Sequence, residues 1–124
     1  MKTLIQAQNL EAQFTQINEY WSPKVIGEVD DHYLKIAKLK GEFVWHDHEL
    51  EDELFYIVKG QMKLEFNEQV LELKEGDFHI IPKATMHQPS AEEECWVMLI
   101  EKKSTAHTGK VHTSKTKSID EQLG

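Results

Sequence analysis

From Asp30-Asp31 onward the chain alternates with a period of two, in short runs broken by glycine and acidic turns. That pattern admits few folds. Tyr33-Leu34-Lys35-Ile36-Ala37-Lys38-Leu39-Lys40 alternates most strongly, and shorter runs follow over 42–46, 54–59, 61–66, 70–74, 78–81 and 95–101. Gly41, Gly60, Asn67-Glu68 and Gly76-Asp77 punctuate them. Many short strands at even spacing, joined by such turns, predict an all-β sandwich or barrel. One helix is expected ahead of them. Leu10, Phe14, Ile17 and Trp21 fall at i, i+4, i+7 and i+11, a single helical stripe spanning about 8–21 that Pro23 stops. A second helical turn is open around 118–122.

With 124 residues, 40% of them hydrophobic, the chain has material for one core. Its charge divides it. Residues 1–101 carry 20 acids and 9 lysines, and residues 102–124 carry 5 lysines and 2 acids. The expected organisation is therefore one barrel domain over 1–101 and a basic, polar C-terminal tail over 102–124. The tail is either mobile or laid over its own acidic body or a partner subunit. The net charge of −8 opposes nucleic-acid binding, and the chain contains no Arg, the residue best shaped to grip phosphates. No secretory leader and no apolar run near 18 residues is present, so a soluble cytoplasmic protein with no membrane contact is expected. The lone Cys95 sits in an apolar run and reads as a buried, inert thiol.

His46, His48, Glu53 and His87 stand apart from this background. On an extended strand, His46 and His48 point to one face and Asp47 to the other. Glu53 opens the run Glu53-Leu54-Phe55-Tyr56-Ile57-Val58 and shares a face with Phe55 and Ile57. A carboxylate heading an apolar face is expensive to bury unless it is paired or bound to metal. His87, beyond Pro82 on a later strand, is placed to close the cluster from the other side of a barrel. Imidazoles with one carboxylate suit a divalent transition metal ion such as Fe, Mn, Ni, Zn or Cu. Four protein ligands leave two octahedral positions for a small-molecule ligand. Ordinary core or surface histidines remain the alternative at this point.

The wider spacing resembles the cupin superfamily. The first motif of that family matches Gly41, His46-Asp47-His48, then four residues to Glu53 and six more to Gly60. The second matches Gly76, five residues to Pro82, then Lys83-Ala84 and two residues to His87. Fifteen residues separate Gly60 from Gly76, as in small single-domain cupins. Departures fall at Gly41, one residue closer to His46 than usual, at Ala84 in place of a glycine, and at Ala91 in place of an asparagine. The Ala84 turn is accordingly expected to avoid a positive φ. Flanking pieces, Tyr20-Trp21-Ser22-Pro23-Lys24 and Asp52-Glu53-Leu54-Phe55-Tyr56, are similar to the phosphomannose isomerase-like subgroup.

The resemblance implies a jelly-roll barrel, the cupin double-stranded β-helix, with a metal near its mouth and a homodimeric assembly. It implies a metal set of His46, His48, Glu53 and His87, and carboxylate chemistry makes Glu53 the candidate catalytic base, on leaving the metal. Two activities fit: a metalloenzyme for oxidation or isomerisation of a small organic molecule, or a non-catalytic metabolite-binding or sensing module. Elsewhere, His79 is expected on the outer face, and His32, His107 and His112 in solvent. The acidic runs 49–53 and 92–94, if they share one barrel end, disfavour anionic substrates such as phosphosugars.

Overall fold

The computed structural model describes residues 6–124. Met1 to Ile5, which begin the expected 1–101 unit, lie outside the described residues. In chain order the elements are α1 (Leu10–Phe14), β1 (Lys24–Val29), β2 (His32–Glu42), β3 (Glu53–Lys59), β4 (Gln61–Glu65), β5 (Val70–Lys74), β6 (Phe78–Ile81), β7 (Gln88–Lys102) and α2 (Ile119–Leu123). All the strand pairings are antiparallel, in the order β1-β2-β7-β3-β6, with β4 joined to β5 and to the start of β7. The class is all-β, an antiparallel barrel-like fold, as expected.

Strand β7 organises the molecule. Its second half pairs with β2 on one side and β3 on the other, while Gln88, Pro89 and Ser90 pair with β4. Between these halves the register jumps, because Leu39 faces Cys95 whereas Gly41 faces Ala91. The extra residues Glu92, Glu93 and Glu94 are exposed at this bend. A bulge of this kind bends β7 so that one strand pairs with β4 in its first half and with β3 in its second.

The alternation in β3 puts Glu53, Phe55 and Ile57 inside and leaves Leu54, Tyr56 and Val58 half-buried outside. Together with Leu64, Ile81, Cys95 and Val97 they fill the barrel. A smaller cluster forms outside the sheet, where Phe14 and Ile17 cover Ile36 and Phe14 stacks on Trp96 at 4.7 Å. Full burial of Phe14 contributes about 2–3 kcal/mol.

The N-terminal helix is shorter than its stripe suggests. Asn9 caps it by accepting from the Ala12 N–H at 2.8 Å, and it ends at Phe14 instead of continuing to Trp21. Tertiary contacts override the helical period. Tyr20 bridges to Lys38, and Trp21 adopts φ +57° to stack on Phe43 at 4.7 Å. The run expected over 42–46 is not one strand either. Strand β2 ends at Glu42, and His46 touches the sheet only through an isolated bridge to His87. The last strand begins at Gln88 rather than at Cys95. The helical turn around Ser118 is present, closed by a reciprocal capping box between Ser118 and Glu121.

Candidate metal centre

His46 and His87 are held by each other's backbone. His46 N donates to His87 O at 3.0 Å and His87 N to His46 O at 2.9 Å. Such a pair projects both side chains to one face, and the ring centroids stand 4.4 Å apart. Each ring then repeats the same local bond. Nδ1–H of His46 donates to Val44 O at 2.9 Å, and Nδ1–H of His87 donates to Thr85 O at 2.9 Å. With Nδ1 so used, the Nε2 lone pair of each ring is free to act as a ligand. His48 comes from the same connection, and its carbonyl accepts from the Ala84 N–H at 2.7 Å, tying it to the turn before His87. Glu53 enters as the first residue of β3.

The four side chains are buried, and their ligand atoms lie within 4.8 Å of one another. Glu53 Oε1 is 3.6 Å from His48 Nε2 and 3.7 Å from His87 Nε2. These distances exceed a hydrogen bond. They approach the roughly 3.0–3.4 Å that separates two ligands about 2.1 Å from one shared ion. Among the described residues, His48 Nε2, His87 Nε2 and Glu53 Oε1 have no hydrogen-bond partner. Buried polar atoms left unpaired cost free energy, and here they converge. The donor set fits a divalent transition metal, and the cluster is one that could hold it.

Protonation follows from the same packing. Burial, then the charge of His87, holds the His46 imidazole down to about 4, so it is neutral and ready to ligate near neutral pH. Burial also opposes charge on His48, but the facing Glu53 carboxylate outweighs it and raises the ring. Behind Glu53, its cross-strand partner Glu101 is buried as well. Burial and the Glu53 charge push Glu101 well above the carboxylate range. Burial opposes ionisation of Glu53 too, but the neighbouring Glu101 carboxyl and the facing histidines hold it well below. The two carboxyls are thus pushed apart, Glu53 toward its ionised form and Glu101 toward its protonated one.

Beside His46 and Glu53 lies a cavity of about 40 Å³, walled by apolar residues that include Trp21, Phe43, Phe55 and Leu99. Its remaining polar wall is His107, which the sequence reading placed in solvent. The tail carries it there. Lys110 pairs with Glu49 at 2.9 Å, Ser104 bonds Glu51 at 3.0 Å, and Lys115 Nζ donates to Glu42 O at 2.6 Å. Charge asymmetry between tail and body was the available signal for this docking, but nothing in it singled out His107.

His79 also departs from expectation. It pairs with Phe55 across β3 and β6 and lies 6.0 Å from Phe66, so it faces inward, while Phe78 and Ile80 are the exposed residues. Ala84 does adopt a positive φ, +61°, because its N–H must reach His48 O. The two acidic runs do not share an end. Glu53 opens β3, whereas Glu94 packs against Gly60 just beyond its far end, about 20 Å away.

An antiparallel β-barrel fold with three imidazoles and one carboxylate gathered inside defines a class of β-barrels carrying a cluster that could hold a metal ion. The chain belongs to the cupin domain family, whose profile matches residues 33–101. It is 37% identical over 82 residues to the uncharacterized protein YdbB of Bacillus subtilis, covering 65% of this chain and 73% of that protein. A cupin-2 domain containing protein from Shewanella frigidimarina superimposes with a TM-score of 0.77 at 41% identity, covering 77% of this chain and 94% of that one. Protein NMB1881 from Neisseria meningitidis gives a TM-score of 0.73 at 31% identity, covering 78% and 99%. Among the described residues no helix is long and apolar enough to cross a membrane.

Proposed function

We propose that this cupin binds one divalent transition metal through His46, His48, Glu53 and His87 and uses it to transform a small organic molecule. The observation carrying this reading is the convergence of unpartnered Nε2 and Oε1 atoms on one point beside a cavity. When bound, the metal supplies Lewis-acid polarisation of a substrate oxygen or, if it is redox-active, oxidation. The protein contributes the rest. Val44 O and Thr85 O orient two ligand rings, and the apolar wall excludes water from the reacting group. Glu53, a carboxylate on the cavity wall, is the base within reach of a bound substrate. The small cavity and the absence of Arg disfavour phosphosugars.

Elemental analysis of untagged protein, followed by an oxygen-consumption and isomerisation screen, tests the proposal. Near-stoichiometric metal with turnover that Glu53→Gln abolishes supports it. Full turnover in a metal-retaining Glu53→Gln protein overturns the role of Glu53. The enclosure of the cluster favours a second reading, a metal-organised binding module without turnover, which retained metal and saturable ligand binding without product would support.

A further inference from the structure

We propose that His107 is a ligand-anchoring residue, presenting a fixed Nε2–H donor to the cavity beside His46 and Glu53 to hold an oxygen of a small carboxylate or carbonyl ligand. The inference rests on the metal-centre reading and adds the recognition element that reading lacks. Nδ1 of His107 accepts from the Lys117 N–H at 2.8 Å. A neutral imidazole whose Nδ1 accepts must carry its proton on Nε2. The Nδ1 edge is turned to the tail, so the opposite edge faces the cavity that the ring lines.

The ring has little freedom to turn away. It packs at 5.0 Å on Phe43, which is itself 5.6 Å edge-on to His46 and stacked on Trp21. Burial keeps it neutral, with its pKa brought down to about 4. Among the described residues no acceptor takes the Nε2–H. The other polar groups on this wall are committed elsewhere, since His46 donates to Val44 O and Glu53 is an acceptor. Among the described residues this one free donor on the cavity wall selects an acceptor, and the apolar walls select a small one. About 40 Å³ holds roughly three waters, or a ligand head of about three non-hydrogen atoms.

Formate is the matched probe, read through the visible spectrum of the cobalt(II)-loaded protein. Two variants separate anchoring from mere support of the tail. In His107→Gln the amide nitrogen falls near Nε2, keeping the donor and losing the acceptor for Lys117. In His107→Asn the amide oxygen falls near Nδ1, keeping the tail contact and losing the donor. Formate affinity within about 3-fold of wild type for Gln, and weakened about 10-fold or more for Asn, is expected. The reverse order, equal loss in both, or no formate binding by cobalt-loaded wild type overturns the proposal. Failure of the wild type to take up cobalt instead overturns the metal reading beneath it. Nitrogen-15 NMR of the metal-free protein gives an independent check, because a proton found on Nδ1 refutes the anchoring role whatever the metal does.

Discussion

Lys35 Nζ stands 2.6 Å from Glu101 Oε1, and both side chains are shut away from solvent. Gln122 of α2 supplies a second acceptor to the same ammonium group. Lys35 thus links the C-terminal helix to the carboxyl that backs Glu53, so a contact made by the tail reaches the candidate centre through two side chains.

Removing the ammonium leaves Glu101 Oε1 and Gln122 Oε1 buried without a donor. Lys35→Met should therefore destabilise the protein by about 3 kcal/mol, seen as a lower urea midpoint at unchanged slope. Adding Glu101→Leu to it should recover much of that loss, since an apolar pair leaves fewer orphaned atoms.

Glu101 also orients a candidate ligand, and its loss should reach the metal. Glu101→Leu alone is expected to weaken metal affinity 10- to 100-fold, measured by competition with a chelating dye. His46→Ala and His87→Ala should abolish stoichiometric binding while circular dichroism still reports the barrel. Metal at a thousandfold excess over its Kd should raise wild-type stability by about 4 kcal/mol and do nothing for those two variants.

The metal-free protein should be acid-sensitive in a defined window. His46 and His107 sit at about 4 when folded, against an ordinary imidazole near 6.5. Between these values the unfolded chain binds protons that the native rings refuse, so stability falls as pH drops from about 6.5 toward about 4. His48 acts in the opposite sense, its raised value adding stability at low pH that fades as pH rises. Glu101, raised well above the carboxylate range, opposes the loss as well, so below about pH 6.5 two rings against one carboxyl give a net loss of about 1 kcal/mol per pH unit. Urea midpoints should decline from pH 6 to pH 5, and bound metal should steepen the decline because protons compete for its ligands.

Ala84 tests whether a family glycine was replaced at a cost. Its φ of +61° is unfavourable for any residue with a Cβ, by about 1 kcal/mol. Ala84→Gly should stabilise the protein by about 0.5 kcal/mol, the greater freedom of glycine when unfolded offsetting the remainder. Thermal melts of the two proteins side by side decide it.

The sequence showed which four residues cluster more clearly than the chain path that brings them together. The offsets among His46, His48, Glu53, Gly60, Gly76 and His87 picked out the four clustered residues, because they match a family motif residue by residue. Strand boundaries were harder to read. Gly27 and Pro23 concealed β1, whose ladder to β2 is irregular between Val25 and Gly27. Periodicity also missed Trp21, where stacking on Phe43 prevailed over helix continuation. His107 and Glu101 were invisible as site residues for a different reason. Each acquires its role from a long-range contact, with Lys117 holding one ring and the β3–β7 register placing the other carboxyl opposite Glu53.

Gly109 offers the sharpest test of that long-range coupling. It has φ +59°, and a Cβ there would lie 1.9 Å from Asp47 O, a backbone atom between His46 and His48 that cannot rotate aside. Gly109→Ala must therefore lift the tail or displace the connection bearing two candidate ligands, at about 2–3 kcal/mol. Gly41→Ala is the control. Its φ is +83° but nothing lies within 4 Å of the added carbon, so it should cost only about 1 kcal/mol of backbone strain. Trypsin should cut the Gly109→Ala tail at Lys110, Lys115 and Lys117 faster than in Gly41→Ala, with metal affinity falling in step. Rapid cleavage with unchanged metal affinity would mean that the tail merely covers the centre. A joint loss would make the C-terminal segment a structural part of it.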